Sequence, residues 1–92
     1  MTKRERIESD AYMILQELAF GFTGGNTDTR VVVINLKNTE QVASFRVRDK
    51  DLLFCESNMS KENTYKAMLI VERNKARLIE GMKKWVSTQD KK

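Results

Sequence analysis

Residues 60–88 read SKENTYKAMLIVERNKARLIEGMKKWVST, and the architecture of the whole chain turns on this stretch. No proline interrupts it. Ser60 suits an N-cap, because its hydroxyl can accept from an amide that the first turn leaves unpaired. Glu62 places a negative charge where the helix dipole favours one. At 100° per residue, Tyr65, Met68, Leu69, Val71, Ala76, Leu78, Ile79, Met82, Trp85 and Val86 spread over one broad arc, wide enough to cover a sheet. Opposite that arc Lys66, Arg73, Arg77 and Lys84 fall within about 20° of one line on an ideal helix, with Ile70 among them. The pattern predicts one helix over about 60–88, weakened near Gly81 by about 1 kcal/mol relative to alanine. A line of four cations either keeps a packed helix soluble or marks where phosphates or acidic side chains dock.

Working back from this helix, three segments read as strands. Arg30-Val-Val-Val-Ile-Asn-Leu36 anchors the first, at about 29–37. Residues 41–48 alternate, with Ala43, Phe45 and Val47 facing one way and Ser44, Arg46 and Arg48 the other. A short third strand covers about 52–57. Lys37–Glu40 and Asp49–Asp51 read as turns, and such short connections imply an antiparallel meander. Upstream, Thr2 and Glu5 fit a capping box. Ile7, Ala11, Ile14, Leu15, Leu18 and Phe22 follow at helical spacing, which predicts a first helix over about 3–22. The glycine-bearing segment 21–28 reads as the helix stop and a connector. It lacks the Gly-Lys-Ser/Thr of a phosphate loop.

The expected fold is α+β: a helix, a three-stranded antiparallel meander and a long helix, with both helices on one face of the sheet. The other face would be left open, carrying Val31, Val33, Arg46, Arg48 and Lys50. Ninety-two residues make one domain, 1–92, with a modest core and a short basic tail.

The formal net charge of +4 is unevenly spread. Residues 61–92 hold nine basic and four acidic groups, whereas the first sixty residues are close to balance. With no histidine and a single cysteine, Cys55, the chain lacks the material for a usual zinc site, a disulfide framework or a histidine-dependent triad. Asp49 and Asp51 flank a turn, where aspartates ordinarily bond their own backbone. Nothing calls for a cofactor, and the expectation is a non-enzymatic protein. No apolar run approaches a membrane span and no apolar signal core follows the charged start, so a cytoplasmic location is expected.

The helix–strand–strand–strand–helix order resembles double-stranded-RNA-binding domains, whose second helix would open at Ser60–Lys66. It also resembles the Alu-binding subunits of the signal recognition particle, with Leu52-Leu53-Phe54-Cys55 leading into Ser60-Lys61-Glu62. In format the chain is similar to small phage-encoded anti-CRISPR proteins. That resemblance implies an inhibitor docking on a protein or ribonucleoprotein complex, such as a CRISPR surveillance complex with its guide RNA. The candidate contact residues are Lys66, Arg73, Arg77 and Lys84 on the helix line, and Arg46, Arg48 and Lys50 on the open sheet face. The alternatives are a direct RNA- or DNA-binding module and a homodimer joined along an exposed edge strand.

Overall fold

The computed structural model describes residues 2–24 and 28–89. The chain runs α1 (Lys3–Asp10), β1 (Met13–Leu15), β2 (Leu18–Thr23), β3 (Arg30–Asn35), β4 (Val42–Arg48), β5 (Asp51–Ser57), α2 (Lys61–Arg73) and α3 (Lys75–Gln89). The α+β class stands as expected, but the element order differs from helix, three strands, helix. Five strands form one antiparallel sheet in the order β1-β2-β3-β4-β5. The expected connector at 21–28 begins inside β2. Its residues 25–27, and tail residues 90–92, lie outside the described residues.

The first correction falls on residues 11–22. Thr2 and Glu5 form the expected capping box, but α1 stops at Asp10 and buries no residue. The chain then makes a hairpin. Met13 pairs with Phe20, Ile14 with Ala19 and Leu15 with Leu18. The two turn residues, Gln16 at φ 53° and Glu17 at φ 66°, both take the left-handed conformation that a type I′ turn requires. Leu18, Phe20 and Phe22 alternate along β2, and strand pairing to β3 overrides the helical spacing.

A second correction falls on residues 60–88. Ser60 caps as expected, accepting from Asn63 N at 3.2 Å. The single long helix is instead two, divided at Asn74. Asn74 sits at φ −115°, ψ 18°, and its side-chain Nδ2 donates to the Ile70 carbonyl at 2.8 Å. An asparagine amide that competes for a backbone carbonyl in this way disfavours continuing the helix. Gly81, where the sequence suggested bending, lies within α3 and packs against the Tyr12 ring.

The third correction concerns which face is which. Val31 pairs with Phe45 and Val33 with Ala43, so both valines point into the core. They were expected on the open face. The β3–β4 loop explains the difference. Asn35 N donates to Gln41 O at 3.0 Å, which leaves an odd five-residue loop. A four-residue turn at 37–40 would have set the register one residue away, and a one-residue slip exchanges the faces of a strand. The loop is held from within. Asn35 Nδ2 donates to Gln41 Oε1 at 3.0 Å, and Asn35 Oδ1 accepts from Lys37 N at 3.0 Å. Buried Asn35 is thereby satisfied.

The core lies between the sheet and the helix pair α2–α3. Phe20, Val31, Val33, Ala67 and Leu78 are fully buried, joined by Leu18, Phe45, Ile70, Val71 and Ile79. Burying a large side chain of this kind contributes roughly 1.5–3 kcal/mol. α1 does not join this layer. Its Arg6, Ile7 and Asp10, with Ala11 just past its end, line a hollow together with Ala19, Gly21, Val32 and Ile34, which belong to the opposite sheet face. The expectation of both helices on one face is thus corrected: α2 and α3, the two parts of the C-terminal helix, cover one face, while α1 partly covers the other. Among the described residues no helix is long and apolar enough to cross a membrane.

Candidate binding surfaces

The uncovered part of the outer face belongs to β3, β4 and β5. Arg46 and Arg48 point there, as alternation along β4 requires. Arg30 joins them, because it stands directly opposite Arg46 across the β3–β4 ladder. Like charges directly opposite destabilise a sheet. A single carboxylate relieves this pair: Asp28 Oδ2 lies 3.4 Å from Arg30 Nη2, and Asp28 Oδ1 lies 3.2 Å from Arg46 Nη2. Two guanidinium groups thus converge on one anion. Arg30 escaped the sequence reading because its place beside Arg46 depends on the register.

Lys50 lies in the two-residue turn between β4 and β5 and is exposed. With Arg48, Asp49, Asp51, Leu53 and Lys75 it lines a shallow depression at that end of the sheet. Lys75 Nζ sits 3.2 Å from Asp51 Oδ1, which ties the start of α3 to the turn. The hydrogen bond from Lys75, with a second from the Leu52 amide, holds the Asp51 carboxyl below its usual range. The same hydrogen bond and the charge of Asp51 raise Lys75 above its ordinary value. Arg48 and Lys50 form no ion pair among the described residues.

The expected helix line does not survive as a line. Arg73 ends α2 and Arg77 belongs to α3, so the break at Asn74 falls between them. Lys66 is half-buried. Arg77 lies over the Tyr12 ring, 5.9 Å from its centre. Lys84 stands 3.9 Å from Glu80. The spacing of 7, 4 and 7 aligns four cations only on one straight helix, and two of the four already have partners.

A different surface was missed by sequence reading. Phe54 of β5 is 44% exposed, and Tyr65, Met68 and Leu69 of α2 are 63%, 43% and 38% exposed, while Leu53, 40% exposed, lies on the arginine face opposite Arg46. The sequence arc had assigned the three α2 residues to the core. The helix instead buries Ala67, Ile70 and Val71, which leaves Tyr65 and Leu69 on its solvent side. β5 is an edge strand, and α2 packs against it.

Among the described residues no group of three or more His, Cys, Asp or Glu is placed to hold a metal ion. The chain matches no family model, no curated protein and no solved structure.

Proposed function

We propose that this chain is a non-catalytic binding protein that docks through the uncovered half of its outer sheet face. The supporting observation is the placement of Arg30, Arg46 and Arg48 on adjacent strands of a face that α2 and α3 do not cover. Planar guanidinium groups suit bidentate contact with carboxylates or phosphates. The occupant fitting such a face is an acidic surface of a protein or ribonucleoprotein. Binding there would deny that surface to nucleic acid or to another subunit. Inhibition of an RNA-guided surveillance complex in a host cytoplasm is the specific form of this reading, and it rests on format and charge alone.

An interference assay tests it. Cells carrying an RNA-guided DNA-targeting system, challenged with a targeted plasmid, would accept the plasmid when this protein is expressed. The variant Arg46→Glu with Arg48→Glu would restore exclusion. If the wild-type protein leaves plasmid exclusion unchanged, the specific form fails.

A second reading is direct binding of RNA or DNA, favoured by the way Arg30 and Arg46 hold one carboxylate between them. Binding to bare duplex would then weaken with salt with a log–log slope near −0.9 per phosphate neutralised, about −2 to −3 for three arginines. Negligible affinity at physiological salt would exclude it.

A further inference from the structure

Strand β5 ends the sheet with its outer backbone groups unpaired by any strand. It has seven residues, and its middle is apolar. Long apolar edges are ordinarily shortened, charged or covered. Here the helix packed beside the edge adds an exposed apolar stripe, Tyr65, Met68 and Leu69. We propose that a second copy of this chain covers this rim, with the two β5 strands pairing antiparallel about Leu53 to give one ten-stranded sheet.

Register and charge select that occupant. Arg48 and Asp51 close the two-residue turn, so they form a hydrogen-bonded pair, and alternation makes Arg46–Leu53 the next one. The backbone groups of Leu53 are therefore spent on β4, whereas those of Leu52 and Phe54 point to the open edge, where the Leu52 amide donates to Asp51 Oδ1 at 2.9 Å and would exchange that bond for one to the second copy. The bulge opposite Ser44 and Phe45 leaves Cys55 without a partner in the β4–β5 ladder and interrupts the regular edge there. The regular stretch before the bulge is Asp51–Phe54, and its two outward-directed residues, Leu52 and Phe54, flank Leu53.

Pairing two copies about Leu53 sets Leu52 opposite Phe54 of the second copy, and Asp51 opposite its Cys55. No like charges meet. Just beyond, Glu56 comes towards Lys50 of the second copy, and neither residue has an ion-pair partner among the described residues. Centring on Phe54 would instead set buried Leu52 against Glu56.

The two-fold axis stands perpendicular to the sheet, so both α2 helices lie on one side and their apolar stripes approach across the seam. The arginine faces of both copies lie together on the other side. Such a joint covers on the order of 600 Å² per copy, at the low end for specific interfaces. This association holds whether or not the arginine face binds a partner.

Sedimentation of the wild-type chain tests the proposal. The mass should rise from one chain to two over roughly 1–300 μM, the range expected of a small interface. Leu53→Lys and Leu69→Glu, each with an unchanged circular dichroism spectrum, should each weaken association by about tenfold or more. In a Cys55→Ser background, Leu53→Cys should oxidise to a disulfide-linked dimer, because a non-hydrogen-bonded pair sets its Cα atoms about 4.5 Å apart. A wild-type chain that stays monomeric throughout overturns the proposal. So does a dimer indifferent to both surface variants, or one in which the paired cysteines fail to cross-link.

Discussion

The two edges of the sheet are built in opposite ways. β1 has three residues and is fastened from the side by Tyr12. The Tyr12 hydroxyl donates to the Arg77 carbonyl at 3.2 Å, and its ring lies 5.1 Å from that of Phe22. The ring fills the space where Gly81 has no side chain. β5 has seven residues, and its outer rim carries Leu53 and Phe54 half in solvent. A short, anchored edge gives another chain little to pair with, whereas a long apolar one offers a template. The contrast is one of anchoring: the N-terminal edge is tied to α3 through Tyr12, and the other edge is left open.

The contrast is most easily broken at the anchored edge. Gly81→Val puts a branched side chain into the volume of the Tyr12 ring, so Tyr12 must leave α3. Overpacking of this kind costs about 2–3 kcal/mol, read as a lowered urea midpoint. If the midpoint were unchanged or raised, Tyr12 would not be the anchor.

The turn of the same edge should move the other way. Gln16 and Glu17 hold left-handed dihedrals that cost roughly 1–2 kcal/mol at a residue other than glycine. Replacing them with Asn-Gly should raise stability by about 1–2 kcal/mol in the same titration. The Arg4–Glu17 ion pair lost in the exchange is exposed and worth little.

At the open edge, Leu53→Lys should leave the stability of the monomer within about 0.5 kcal/mol, as ordinary surface changes do. Measured at low protein concentration, that near-zero effect beside the large one at Gly81 would sharpen the division between the edges.

The smallest effect concerns pH. The Asp51 carboxyl titrates lower in the folded state, so its contribution is present above the ordinary carboxylate value of 3.8 and is lost as pH falls through the lower folded value. Lys75 titrates higher in the folded state, so its contribution is present below 10.5 and is lost as pH rises through the raised folded value. Asp51→Asn should flatten both shoulders of a stability-against-pH profile. Asp51 is exposed and Lys75 partly so, and the change should be slight.

Much of the sheet could be read from residues alone. β3, β4 and β5 lie within about two residues of their predicted bounds, because alternation and the polar turn at Asp49–Lys50 act locally. Thr2 and Ser60 cap for equally local reasons. The β1–β2 hairpin was hidden because its turn carries Gln-Glu in place of Asn or Gly. The regular alternation of Leu18, Phe20 and Phe22 was the signal that could have found it. The break in the last helix rests on the amide of Asn74, a residue that ordinary helix interiors also tolerate.

Of the candidate surfaces, the side of β4 that carries Arg46 and Arg48 followed from period two. Arg30 needed the register of a five-residue loop. The exposed stripe of Tyr65, Met68 and Leu69 needed the true inward direction of α2, set by Ala67, Ile70 and Val71, which the broad apolar arc blurred.

Tyr12 and Arg77 stand 65 positions apart in sequence yet share a hydrogen bond. The start of the sheet is therefore laid against a helix that is made well after it. Until α3 has emerged, Tyr12 and Phe22 have nothing to close on, and the early hairpin remains uncovered. Domains generally fold as units, and closure between the two ends of a chain is slow. Completion of this domain must then wait for α3, and loss of that helix would undo the first hairpin as well as the helix layer.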